Sequence, residues 1–247
     1  MISQDLSPKQ KLEVIRLLEE RKRNTKENKL FSMFPDTGIY SRAGYPQHMK
    51  FFEAGAIHKE RAFIAGNQVG KSTAGSFEVV LHLTGLYPDW WTGLRFTKPI
   101  KVWCAGIDNS WVRDVAQKHL FGEFFDLGTG MIPKSYIVGT PIMRAGIPQA
   151  IDYCYIKHIS GGNSYIQLKA YEQGRAKFQG AVLDFIWLDE EPDDAGIYSE
   201  CLTRTITTHG SIICTFTPLK SLSEVVLSFL PGGQMPEDGI VRPQDAP

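Results

Sequence analysis

Ala65-Gly66-Asn67-Gln68-Val69-Gly70-Lys71-Ser72 decides the fold, because it sets a glycine turn directly ahead of a lysine and a hydroxyl. Arg61-Ala62-Phe63-Ile64 before it reads as a short buried strand, and the run from Thr73 to Leu81 reads as helix. Strand, turn and helix in that order are the context a phosphate-binding loop requires. In such a loop the backbone N–H groups point inward at phosphate oxygens, and the helix N-terminus adds the positive end of its dipole. Lys71 then neutralises the β- and γ-oxygens of a nucleoside triphosphate, and Ser72 ligates Mg²⁺. The pattern predicts ATP held by Gly66, Asn67, Gln68, Val69, Gly70, Lys71, Ser72 and Thr73. The strict form has glycine at position 65, where Ala65 is small enough to stand with a negative φ. The plainer alternative is a glycine-rich strand-to-helix turn carrying an exposed lysine.

Downstream, Val182-Leu183-Asp184-Phe185-Ile186-Trp187-Leu188 is an apolar strand running into Asp189-Glu190-Glu191 and stopped by Pro192. A buried parallel strand delivers such carboxylates at its C-terminal edge. Asp189 is expected to hold Mg²⁺ through water and Glu190 to activate the attacking water, with Glu191 able to share or replace that role. A further strand, Ser211 to Pro218, ends in hydroxyls at the same edge, so Thr217 or Thr215 is a candidate for sensing the γ-phosphate. The runs Ile100–Ala105 and Ile156–Lys169 read as a strand and a hairpin around a glycine turn, and Trp111, Val115 and Leu120 mark a helix between them. Residues 126–150, rich in glycine and proline, read as a long excursion. Alternation of this kind predicts an α/β fold with a mainly parallel central sheet and helices on both faces.

The chain has 247 residues, with 27 lysines and arginines against 27 aspartates and glutamates, so it offers no strong overall field to a polyanion. Any DNA contact must come from local patches, for which Lys98, Lys101, Arg113, Lys118, Lys134 and Arg144 are candidates. No apolar run approaches the roughly 20 residues of a membrane span, and Met1 to Asp5 lack the features of a signal peptide, so a soluble, non-exported chain is expected. Cys104, Cys154, Cys201 and Cys214 have no metal-ligand spacing and read as buried thiols. The histidines read as structural or exposed, and Trp90-Trp91 as a hydrophobic corner. Residues 8–22 carry Leu12, Ile15, Leu17 and Leu18 at helical spacing. Residues 1–45 are therefore expected to be a helical appendage packed on an ATPase core of residues 46–230, with partner binding by that helix as the alternative. Residues 231–247 read as a tail.

Gly66 to Ser72, Tyr171-Glu172-Gln173-Gly174-Arg175-Ala176-Lys177-Phe178-Gln179-Gly180, Asp189-Glu190-Glu191-Pro192, Leu202-Thr203-Arg204-Thr205 and Thr215-Phe216-Thr217-Pro218 follow one another in a fixed order. Over residues 45–230 this series resembles the large terminase subunit of tailed bacteriophages, particularly short-tailed enterobacterial phages. The resemblance implies a P-loop NTPase of the additional-strand, catalytic-glutamate (ASCE) type. It implies a motor that moves double-stranded DNA into a procapsid through the portal protein, working as a homo-oligomeric ring with the small terminase subunit in the host cytoplasm. In that family an RNase H-like nuclease follows the ATPase, and this chain is expected to hold the ATPase without it.

The resemblance also implies that Gln47, beside Tyr45, Pro46 and Phe51, contacts adenine. Two arginines common in the family are replaced here by Asn67 and Gln179. Arg175, with Arg204 second, is the candidate for the cation that stabilises the transferring phosphate, supplied within the chain or from an adjacent subunit, with a surface or ion-pair role as the alternative for each. A neutral domain of this kind is expected to bind DNA weakly and with steep salt dependence. Two other functions fit parts of the pattern: a non-catalytic nucleotide-binding adaptor, and a helicase-like nucleic-acid ATPase, although no basic and aromatic run for a single strand is present.

Overall fold

In the computed structural model, which describes residues 8–27, 29–217, 223–230 and Gln234, the alternation of strand and helix resolves into a seven-stranded sheet. Helices α1 (Pro8–Glu27), α2 (Lys29–Ser32) and α3 (Pro46–Ala54) precede strand β1 (Glu60–Ile64). The phosphate-binding turn leads into α4 (Lys71–Thr84), and β2 (Lys101–Gly106) follows. A continuous helical run then joins α5 (Asn109–Trp111), a π-helical segment over Val112–Gln117 and α6 (Lys118–Phe121). The short antiparallel pair β3 (Gly122–Glu123) and β4 (Asp126–Leu127) precedes β5 (Ile137–Met143), β6 (Ile151–Lys157) and β7 (Asn163–Ala170). The chain continues through β8 (Phe185–Asp189), α7 (Ala195–Thr205), β9 (Ser211–Phe216) and α8 (Glu224–Phe229).

The strand order is β1-β9-β8-β2-β7-β6-β5. The first five strands run parallel, and β6 and β5 close the far edge antiparallel. Inserting β9 between the strand that leads into the phosphate loop and the strand that ends in Asp189 is the additional-strand arrangement of P-loop NTPases. Strands β8 and β9 are buried at every position, as strands covered on both faces must be. On one face Phe77, Val80 and Leu81 of α4 pack on Val102, Phe185, Trp187 and Ile213. On the other, Ile197 and Cys201 of α7 and Val225 and Val226 of α8 pack on Ile186, Leu188 and Cys214. Each large apolar side chain so buried contributes about 1.5–3 kcal/mol.

Within the core, an ionic network ties the phosphate-loop helix to its strand. Arg61 of β1 donates to Glu78 of α4 at 2.5 Å and to the Phe51 carbonyl of α3 at 2.8 Å. Burial pushes the Glu78 carboxyl up, but Arg61 and His82 outweigh it and hold the group below the usual carboxylate range. Removing one member would strand a buried charge, which costs about 3–5 kcal/mol.

Two expectations need correction. The excursion at residues 126–150 contains β5, which joins the sheet beside β6 with register shifts; Gly139 and Pro141 disguise it in sequence. The amphipathic helix extends to Glu27, through Asn24, but it does not bury its apolar face: Leu12, Ile15, Leu17 and Leu18 are each more than half exposed. Among the described residues up to 45, Leu30 and Phe34 are buried in the core, with Met33 and Tyr45 packed against it. The four cysteines are buried free thiols, and Trp91 packs against Phe52 and Phe77 as a hydrophobic corner. The tail at 231–247 lies, apart from Gln234, outside the described residues.

Candidate nucleotide-binding site

Between β1 and α4 the chain turns through two left-handed residues, Gln68 with φ 61° and Gly70 with φ 87°. Gly70 is the N-cap of α4, a position where a Cβ would be strained. The turn leaves the helix N-terminus open at the C-terminal edge of the sheet, the place where phosphate binds in α/β folds. Lys71 Nζ donates to the Gly66 carbonyl at 2.6 Å and to Thr217 Oγ1 at 2.8 Å. Thr217 has one hydroxyl proton and gives it to Asn67 Oδ1 at 2.8 Å. The loop, its lysine and the end of β9 thus form one hydrogen-bonded chain.

The carboxylates arrive from β8. Asp189 is fully buried, and its Oδ1 accepts hydrogen bonds from Thr215 at 2.5 Å and Ser72 at 3.2 Å. Its Oδ2 is buried and has no hydrogen-bond partner among the described residues. Burial pushes this carboxyl from 3.8 up to about 7, with the Thr215 and Ser72 hydroxyls opposing and the Glu190 charge adding to the rise. An orphaned carboxylate oxygen beside the loop hydroxyl is a donor set that fits Mg²⁺, a hard cation that takes oxygen ligands and keeps several waters.

Glu190 follows in a left-handed conformation, φ 62°, uncommon for a residue with a side chain and a feature that clusters at functional sites. Three contacts hold it. Its N–H donates to the Thr215 carbonyl at 2.9 Å, its carbonyl accepts from the Tyr171 hydroxyl at 2.9 Å, and its Oε2 accepts from the Thr217 N–H at 3.4 Å. The two threonines therefore divide: Thr215 serves Asp189 inside the sheet, while Thr217 stands between Lys71 and Glu190. Glu191 is engaged elsewhere. It accepts a hydrogen bond from Ser223, whose oxygen caps α8 through the Val226 N–H, so the two consecutive glutamates have different partners.

The remaining candidates lie further out. Thr73 sits in the first turn of α4, where its carbonyl accepts from Ser76. Gln47 is exposed on α3, whereas its neighbour His48 is buried against the phosphate loop, with Nε2 3.3 Å from where a Cβ on Gly70 would sit. Tyr45 and Phe63 enclose the His48 ring edge-on at 4.9 and 4.8 Å. Burial lowers its pKa while the Gly70 and Val69 backbone pulls the other way. Nothing in the spacing of the histidines marks His48, and its proximity to Gln47 is the one hint the sequence holds.

Arg175 and Arg204 converge on one carboxylate. Arg175 donates to Glu200 at 2.9 and 3.0 Å, Gln179 joins at 3.2 Å, and Arg204 lies 3.5 Å from the other oxygen. Hydrogen bonding by Arg175, then by Gln179, lowers the Glu200 pKa. Among the described residues neither arginine hydrogen-bonds the phosphate loop, Asp189 or Glu190. Of the proposed DNA contacts, Arg144 is nearly buried and bonded to Asn109, Asp152 and the Leu168 carbonyl. That engagement removes it from the group, and Arg113 pairs with Asp114. Lys98, Lys101 and Lys134 are exposed.

Residues 62–237 match the family described as terminase large subunit, T4likevirus-type, N-terminal. The large terminase subunit of Salmonella phage P22 is 36% identical over 249 residues, taking in 93% of this chain and 48% of that protein, so the chain spans about half the length of this relative. Among solved structures, the large terminase of a thermophilic bacteriophage superposes with a TM-score of 0.52 at 12% identity, covering 74% of this chain and 40% of that one. The large terminase ATPase domain of Thermus phage P74-26 gives a TM-score of 0.45 at 18% identity, over 76% and 73% of the two chains. At 12% identity the first of these structural likenesses speaks to fold.

Proposed function

This chain belongs to the terminase large-subunit family, and from that premise we propose that its site binds ATP with Mg²⁺ and hydrolyses it to ADP and phosphate. What supports this most is the Ser72–Asp189 contact at 3.2 Å, joining residues 117 apart in sequence, beside the orphaned Asp189 oxygen. Ser72 and Asp189 would hold Mg²⁺, which supplies charge neutralisation on the phosphate oxygens. The backbone of Gly66 to Thr73 cradles the phosphates. Lys71 exchanges its bonds to Gly66 and Thr217 for bonds to the β- and γ-phosphate oxygens, and Thr217, released from Lys71, reports that exchange along β9. Glu190 takes the proton of the water that attacks the γ-phosphorus as the bond to ADP breaks. Gln47, beside the buried His48, is our candidate for the adenine edge.

We further infer that hydrolysis drives double-stranded DNA into a procapsid, in a ring of copies at the portal protein in the host cytoplasm, with the small terminase subunit as partner and Arg175 reaching a neighbouring copy's phosphates. Such a motor runs on residues 46–230, with residues 1–45 as an appendage and 231–247 as a tail. Among the described residues no helix is long and apolar enough to cross a membrane. One observation favours the adaptor reading instead: the exposed apolar face of α1 suits partner docking. Phosphate release from Mg²⁺–ATP, with and without duplex DNA, separates the two. A motor domain turns over and loses turnover in Lys71→Ala, whereas an adaptor shows binding with no release in either protein.

A further inference from the structure

Trp187 and Asp189 are two residues apart on β8, so both side chains leave the sheet on the face covered by α4. Thr215 stands directly opposite Asp189 on β9, in the same layer. The Trp187 indole N–H donates to Thr215 Oγ1 at 2.7 Å, and Thr215 donates on to Asp189 Oδ1 at 2.5 Å. The polarity of this chain is fixed by chemistry. An indole nitrogen donates and cannot accept, so the Thr215 oxygen receives that proton and its own is directed at Asp189. All three side chains are buried, and Oδ1 is filled by Thr215 and Ser72 while Oδ2 remains without a partner among the described residues.

The indole reaches this position because residue 75, in the middle of α4, is glycine. A Cβ there would lie 2.4 Å from Trp187 Nε1 and 2.5 Å from Cε2. Glycine in a helix interior costs about 1 kcal/mol relative to alanine, and here it opens the space the ring occupies.

We propose that Trp187, seated on Gly75, is a positioning residue that orders Asp189 through Thr215, so that Oδ2 is the oxygen presented to the divalent cation. This rests on the nucleotide-site reading and adds to it a specific route from a core tryptophan to a metal ligand. Partners that orient a ligand in this way typically change metal affinity about 10–100-fold when removed.

The test is Mn²⁺ affinity in the presence of ADP, read from the free-Mn²⁺ paramagnetic resonance signal, with ADP affinity in EDTA measured beside it. Trp187→Phe and Thr215→Val are each expected to weaken Mn²⁺ about ten-fold or more, with metal-free ADP affinity near that of the parent; both lower the melting temperature, through a cavity at residue 187 and an unpartnered buried indole N–H in Thr215→Val. Thr215→Ser, which keeps the relay, should retain parental affinity. The double variant should lose less than the product of the two single losses, because both break one chain. Gly75→Ala should reproduce the Trp187→Phe loss. Should Trp187→Phe not fold, Thr215→Val against Thr215→Ser with Gly75→Ala still decides. Parental Mn²⁺ affinity in Thr215→Val and Gly75→Ala overturns the proposal. No Mn²⁺–ADP binding by the parent protein overturns the nucleotide-site reading instead.

Discussion

Asp189 and Glu200 are both nearly or fully buried carboxylates on adjoining elements, and their surroundings drive them in opposite directions. Asp189 receives neutral hydroxyls, keeps one oxygen unpartnered, and is pushed up to about 7 by burial. Glu200 faces Arg175, Gln179 and Arg204 and is held below its ordinary value. Charge is therefore divided unevenly between the two carboxylates. Glu200 is paired within its own chain with Arg175 and Arg204, whereas Asp189 has no cationic hydrogen-bond partner among the described residues. Under the proposed mechanism the chain's own contribution is Lys71, Ser72 with Asp189, and Glu190, while Arg175 and Arg204 are tied to Glu200 of α7.

The sharpest way to break that contrast is Lys71→Ala, which removes the loop's own cation while Glu200 keeps both of its own. Turnover is expected to fall about 10³-fold in a phosphate-release assay. Next is Arg175→Ala in a DNA-stimulated assembly. If the arginine leaves Glu200 for a neighbour's phosphates, turnover drops about 10³-fold or more; unchanged stimulated turnover removes Arg175 as that cation.

Tyr171→Phe probes the strained Glu190 from behind by deleting the hydrogen bond to its carbonyl. A single such bond is worth about 1 kcal/mol, so single-turnover hydrolysis should slow about five-fold with Mg²⁺–ADP affinity unchanged.

The smallest effects concern stability without nucleotide. For Asp189, between about 4 and about 7 the native state holds a proton that the unfolded chain has released. Its contribution to stability therefore falls as pH rises through that window. Asp189→Asn should raise the melting temperature at pH 8 more than at pH 5. Glu200 has the opposite sign: its contribution is complete above about 4.5 and is lost as pH falls through its lowered native value. Glu200→Gln should flatten the acid side of the melting profile.

Much of this was readable in the chain before folding, for a physical reason. A phosphate loop and a strand ending in carboxylates are local patterns, and the order of strands constrains where their ends meet. The sequence reading thus recovered the loop, β8 with Asp189 and Glu190, β9 as a further strand ending at the same edge, and the hairpin of β6 and β7. What escaped it depends on register and on partners distant in sequence. Strand β5 was hidden by Gly139 and Pro141 and is recognisable through its pairing with β6. The periodicity of residues 8–22 announced an apolar face on α1 without saying what covers it. His48 gained its place through the path of α3 beside the loop, and Trp187 through the β8–β9 register and the absence of a side chain at Gly75. Arg144 and Glu191 looked available because their partners, Asp152 on β6 and Ser223 at the start of α8, are contacts that composition does not locate.

In the proposed mechanism Glu190 is the base of an ATP-hydrolysing site, distinct from the residues that bind the nucleotide. Fluorescent Mg²⁺–ATP binding and single-turnover phosphate release, measured side by side on the parent and on Glu190→Gln, test it most directly. Parental binding with hydrolysis reduced about 10²-fold or more in the variant is the expected result. Phosphate release by Glu190→Gln at the parental rate would contradict the assignment.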